Sequence, residues 1–194
     1  MPRVVDAEQR RRELVDLTAQ QIARLGLERV TLREVARAGG WSTGIVSHYF
    51  HDKRELLLAT FRSRAEAAAL LARSLVEQGR APLDAFLEAV LPLDDERLLN
   101  WQVWLAFWGS AVGDDDLSAA QRERHDSFQH DLVDALEVER EQGRLRAGLE
   151  LEHESLRLIM VVDGIAMQAV FSPERWPANA QRRMVAQHLE GLRP

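Results

Sequence analysis

The sequence contains no cysteine, which excludes a disulfide frame, a thiolate metal site and a cysteine nucleophile. Lysine is nearly absent: Lys53 is the only one, and arginine carries the remaining positive charge. Aromatic residues make up 6% of the chain, so any place where they gather carries weight. No apolar run approaches the roughly 18 residues of a membrane span. Residues 2–13 are mostly polar and charged, unlike the apolar core of a secretory signal. A cytoplasmic protein with no membrane partner is the expectation. The short signatures of familiar enzymes are missing too, with no Ser-His-Asp arrangement, Gly-rich phosphate loop, HExxH helix or CxxC pair. Asp163 and one of the six histidines can be assembled into an acid/base pair, but any helical protein permits that. His125 and His130 stand five apart rather than four and so share no helix face for a metal. No catalysis, cofactor or metal is therefore expected.

What is present is helical in pattern. With 194 residues, 46% of them hydrophobic, the chain suits a small unit joined to a larger helical domain. Its net charge of −6 is unevenly divided: residues 1–64 hold 12 Lys/Arg against 8 Asp/Glu, and residues 65–194 hold 13 against 23. The basic surplus lies where a phosphate-binding surface would need it, although many solvated helices are basic as well.

The stretch from Thr31 to Leu57 organises the rest. Thr31 with Glu34, and Asp52 with Glu55, have the spacing of capping boxes, in which the first side chain caps a backbone N–H and the Glu reaches back. Leu32, Val35 and Ala36 form the apolar side of a short helix, which Gly39 and Gly40 break. Ser42 caps a further helix running to about Phe50. Helix, Gly-containing turn and helix make a helix-turn-helix, with the second helix placed to enter a DNA major groove. By position, Arg33, Ser42, Thr43, Gly44, Ile45, Ser47 and His48 are candidates to meet DNA, and Tyr49 and Lys53 to meet phosphate at the next helix start. Gly44 is costly inside a helix unless something approaches the backbone closely. Arg10-Arg11-Arg12, in a first helix over residues 6–25 capped by Asp6, read equally as phosphate contacts or as a solvated face.

At these residues the chain resembles the TetR family of transcriptional repressors. The matching positions are Thr31, Val35, Ala36, Gly40, Ser42, Gly44, Tyr49, Phe50, Lys53, Leu56 and Leu57. The run STGIVSHYF is similar to the BetI-like, choline-responsive members. One departure is Gly39-Gly40-Trp41, where the family more often has Ala-Gly-Val, and Trp41 is large for a residue under the turn. The resemblance implies an all-α, nine-helix fold: a DNA-binding domain over 1–52, and a ligand-binding and dimerisation domain over 53–194. It also implies repression by a homodimer bound to a double-stranded operator and released by a small-molecule effector.

The remaining pattern suits that outline. A long helix covers 53–78, a fifth 82–91, a sixth 95–112, a seventh from Ser118 to about Gln142, an eighth 152–171 and a ninth 178–192. Gly113-Asp114-Asp115-Asp116 reads as a solvated loop. The sixth helix carries Trp101, Trp104, Phe107 and Trp108 on one broad face. Core packing explains such a face, and so does an aromatic-lined ligand cavity. Phe86, Phe128, Met160 and Met167 are lesser candidates for its walls, and Asp163 or Glu88 for balancing a cationic effector such as choline. Asp163 inside an apolar helix must be paired or hydrogen-bonded, by an Arg or by a ligand. An apolar or drug-like effector would want the same tryptophans without the acid. The eighth and ninth helices carry more apolar surface than a small domain covers, with Leu156, Met167, Val170, Met184, Val185, His188 and Leu189 as candidate dimer contacts.

Overall fold

Five helices begin on the same device. The side chains of Thr31, Ser42, Asp52, Asp94 and Asp114 accept hydrogen bonds from the backbone N–H three residues on, at 3.1, 3.4, 2.8, 2.9 and 3.0 Å. Each satisfies a donor that the first helical turn leaves free, for about 1 kcal/mol. The structure, a computed structural model, describes residues 7–194. Among these it is all-α, with helices α1 Ala7–Leu25, α2 Leu32–Ala38, α3 Thr43–Tyr49, α4 Lys53–Glu77, α5 Pro82–Val90, α6 Asp95–Ala111, α7 Asp115–Glu141, α8 Leu151–Phe171 and α9 Ala178–Glu190. A 3-10 turn, Leu27–Arg29, separates α1 from α2. The nine-helix expectation is met; Asp6, the expected cap of α1, lies outside the described residues.

Two local readings change. The reciprocal half of each capping box is not formed: Glu34 turns to Arg37, and the Glu55 carboxylate accepts from the N–H of His51, one residue before the cap, at 2.7 Å. The seventh helix starts at Asp115 rather than Ser118 because Asp114 caps it, with Asp115 and Asp116 in the first turn where negative charge is favourable. Ser118 instead donates to the carbonyl of Ala111 at 2.6 Å, stitching α7 to the end of α6.

The core runs without a break from end to end. Leu14, Val15 and Ile22 of α1 meet Val35 of α2 and Val46 and Phe50 around α3. Further along α4, Phe61 stacks on Phe107 of α6, ring centroids 4.0 Å apart and 10° from parallel. The α6 helix also packs against α1 and the 3-10 turn, so the aromatic helix touches the N-terminal unit directly. Trp101 is fully buried, and its indole N–H donates to the carbonyl of Val90 at 2.6 Å, fixing α6 to the end of α5. Gln181 anchors α9 by donating to the carbonyls of Pro92 and Trp176, both at 2.9 Å. No helix among the described residues is long and apolar enough to cross a membrane.

Candidate functional site

The turn between α2 and α3 explains its own composition. Gly40 has φ +67°, where glycine is favoured. A Cβ at Gly39 would overlap the indole of Trp41, so the large Trp41 is accommodated by a glycine two residues earlier. Trp41 is half-buried and is covered by the Arg10 guanidinium, 4.8 Å from its ring, while Arg11 lies 4.9 Å from the Phe50 ring. Arg10 also bonds Glu13 at 2.7 Å. Two members of the arginine run therefore brace the motif, and Arg12 is the exposed one.

On α3, Val46 is fully buried, as is Phe50 at its end, and that fixes which face points out. Thr43, Gly44, Ile45, Ser47 and His48 are all exposed, as are Arg33 on α2 and the cap Ser42. Tyr49 is half-buried and edge-on to His48, centroids 5.0 Å apart. Lys53 donates to the carbonyl of Glu28 at 2.9 Å, which positions its ammonium at the 3-10 turn with donors to spare for phosphate. A Cβ at Gly44 would meet only the Ser42 hydroxyl at an ordinary 3.7 Å. Nothing inside the chain requires that glycine. Gly44→Ala is therefore expected to raise stability by about 0.5–1 kcal/mol while weakening DNA binding. Thermal melts and gel shifts on one preparation check this, and tighter DNA binding by the variant would contradict it.

The second site lies in the C-terminal half. Trp101, Trp104 and Trp108 line a pocket with Phe128 of α7 and Asp163 of α8, as the sequence suggested. Its cavity volume is about 40 Å³, below the range of small-molecule sites, so a ligand needs part of the lining to move. Trp101 meets Trp104 and Trp108 edge to face, with centroids 5.0 and 5.9 Å away. Asp163 has no hydrogen-bond or ion-pair partner among the described residues, and burial pushes its pKa up to about 6 against a weaker opposite pull from His125. An aromatic wall facing an acid without a partner suits a cation.

Five candidates for this pocket stand elsewhere. Phe107 is in the core against Phe61. Phe86 backs the wall, packed on Phe128 with centroids 4.7 Å apart. Met160 and Met167 are on the outer side of α8, because the helix turns Ile159, Val162 and Ala166 inward instead. Glu88 is unavailable as a counter-charge: it pairs with Arg182 at 2.5 Å, Arg80 at 3.5 Å and Arg97 at 3.7 Å, and Arg182 above all holds its carboxyl below the usual range. The pocket also contains Phe61, Gln121, Arg124, His125 and Ile159, which sequence reasoning missed. In the charged run QRERHD, Arg124 and His125 look like solvated helix surface, and no spacing rule sets them apart.

The outer face of α8 and α9 is apolar and uncovered. Exposure is 68% at Met160, 42% at Met167, 76% at Phe171 and 43% at Met184. Leu156, Val170 and His188 are half-buried beside them. Val185 and Leu189 are buried within the chain rather than on that face, beside a hollow that they line together with Leu87 and Leu91 of the α5 side.

Comparison with known proteins agrees with this arrangement. Residues 14–60 match the family model for bacterial regulatory proteins of the tetR family, and residues 79–194 match that for the C-terminal part of BetI-type transcriptional repressors. The HTH-type transcriptional regulator BetI of Escherichia coli (strain K12) is 32% identical, covering 97% of this chain and 98% of the relative. The regulator PksA of Bacillus subtilis is 27% identical, covering 99% and 94%. A transcriptional regulator from Saccharomonospora viridis, solved in complex with choline, superposes with a TM-score of 0.84 at 20% identity, covering 94% of this chain and 96% of that one. The chain belongs to the TetR family, with a BetI-type C-terminal domain, and is a ligand-responsive transcription regulator.

Proposed function

We propose that the protein is a cytoplasmic, homodimeric repressor that leaves a palindromic operator when a small quaternary ammonium compound such as choline enters the tryptophan pocket. The observation that carries the effector reading is Asp163, a carboxylate without a protein partner facing three tryptophans. A quaternary ammonium gains about 0.5–2 kcal/mol per aromatic contact as it is desolvated, and it offers Asp163 a counter-charge without requiring a hydrogen bond. The Saccharomonospora viridis regulator, of the same fold, was solved in complex with choline, which supports this reading. Catalysis has no place in this reading, in which Asp163 and the tryptophans serve to bind.

Release of DNA needs a route from pocket to head, and α6 supplies one. Its C-terminal end reaches the 3-10 turn through Ser110, which lies 3.4 Å from the Glu28 carboxylate. Just beyond, Asp114 and Asp116 hold Arg54 of α4 at 2.5 and 2.8 Å. The carbonyl of Glu28 in turn receives Lys53. A shift of α6 on binding therefore bears on the start of α4, immediately after α3, and changes the separation of two recognition helices across a dimer.

The test pairs calorimetry with footprinting on DNA upstream of the protein's own gene. Choline is expected to bind with micromolar to millimolar affinity, and its carbon isostere 3,3-dimethylbutan-1-ol much more weakly. A dimer-sized footprint should fade as choline is added. Equal affinity for the two compounds would remove the cationic effector and leave an apolar one.

A further inference from the structure

Arg124 occupies an unusual place. Its guanidinium carbon stands 4.8 Å from the centroid of Phe128 and 5.6 Å from that of Trp104. Both rings belong to the pocket wall. No carboxylate is ion-paired with it among the described residues, and its Nε is buried without a hydrogen-bond partner. Asp163, on the same pocket, is not paired with it either. A half-buried arginine whose Nε is out of reach of water normally takes an acid or a carbonyl. This one rests on two aromatic faces instead, so the wall that suits a cation already holds one.

We propose that Arg124 is a tethered internal cation that fills the effector's place in the free protein and is displaced when the effector's cationic head arrives. The fold also offers the guanidinium a destination. Arg124 also lines a wider groove between α4, α5 and α7, with about 1170 Å³ of empty space including its open side. It is the one residue among those lining both hollows. The groove is roomy because Ala68, Ala69, Ala72 and Ala135 present little more than methyl groups. Asp131, two turns along α7 from Arg124, stands in that groove and is the acid whose charge already favours the guanidinium. Rotation about the long side chain carries the guanidinium from Trp104 and Phe128 toward Asp131 and opens the pocket to the groove. The effector class this selects is a cation able to take over both rings, entering from the α4–α5–α7 side. The inference rests on the cationic reading above, and its test separates the two.

The probes are choline by calorimetry and acrylamide quenching of tryptophan fluorescence without ligand, on wild type, Arg124→Ala and Arg124→Lys, each checked for folding by circular dichroism. Ala removes the competitor, so choline should bind about tenfold tighter. Lys keeps a cation in place and should stay near wild type. Without ligand, Arg124→Ala should raise quenching, because the Trp104 face is uncovered. Unchanged quenching overturns the proposal whatever choline does; where choline binds wild type, so does binding no tighter to Arg124→Ala than to wild type, or as tight to Arg124→Lys as to Arg124→Ala. If quenching rises but choline binds neither wild type nor Arg124→Ala, Arg124 still covers the ring, and the cationic effector is what fails.

Discussion

Replacing Asp163 with Asn is expected to stabilise the free protein and at the same time to remove most of its affinity for a cationic effector. The carboxyl has a pKa raised from 3.8 to about 6 by burial. The folded state therefore holds this proton more tightly than the unfolded chain does. Stability falls as pH rises through the window from about 4 to 6, and the loss is complete above it. At about 1.4 kcal/mol per unit, and reduced for the pocket's open mouth, the strain at neutral pH is roughly 1–2 kcal/mol. Asn keeps the shape without the charge, so its melting temperature should exceed wild type by several degrees at pH 7.5 and match it near pH 4. For a bound quaternary ammonium the sign reverses. The ligand favours the carboxylate, so wild-type affinity should fall about tenfold between pH 7 and pH 5, and the Asn variant should bind about 10–100-fold more weakly at pH 7. A variant that binds choline as well as wild type would sink the assignment of Asp163 as counter-charge.

Met167→Glu should yield folded monomers that no longer hold an operator. The outer face of α8 and α9 leaves four large apolar side chains in water, and in the proposed homodimer a second copy of the same face would cover them by twofold symmetry. Burying that apolar surface gains about 25 cal/mol per Å², whereas two glutamates facing each other near the axis would have to lose water without a partner. A lone head has only one recognition helix for a two-half-site operator, so affinity should drop at least about 100-fold. Sedimentation with an unchanged melting curve is the check, and a persistent dimer at micromolar concentration, or intact operator binding, refutes it. Leu189→Glu serves as the contrast. Its side chain is buried within the chain, so a charge there should unfold α9 rather than merely separate the subunits.

The difference between those two leucine and methionine positions shows where sequence reading reached its limit. The head was legible because its signals are local: a cap three residues before a free N–H, a glycine at positive φ, a buried Val46 between exposed neighbours. Helix existence followed from the same short-range rules, and the early start of α7 was missed only because Asp114 looked like loop rather than cap. Which face of a helix looks where is not local. The α8 helix is apolar nearly all round, so Met160 and Ile159 are equivalent in the sequence, and only the packing of α6 and α7 against it turns one inward and the other out. The same holds for Arg124. Its role depends on two rings, one on its own helix and one twenty residues back, converging on a guanidinium that composition would leave in solvent.

The outer face of α8 and α9 also gives the protein a chemistry that its composition otherwise denies it. Met160, Met167 and Met184 are three of the four methionines, and with no cysteine in the chain their thioethers are its softest exposed sulfur atoms. Peroxide converts a thioether to a polar sulfoxide that packs poorly against an apolar partner. In the proposed homodimer a paired subunit would shield these sulfur atoms and a separated one would present them. Sulfoxide at these three positions, read by mass spectrometry, would then record the time subunits have spent apart, and each oxidised subunit would re-pair less well than before.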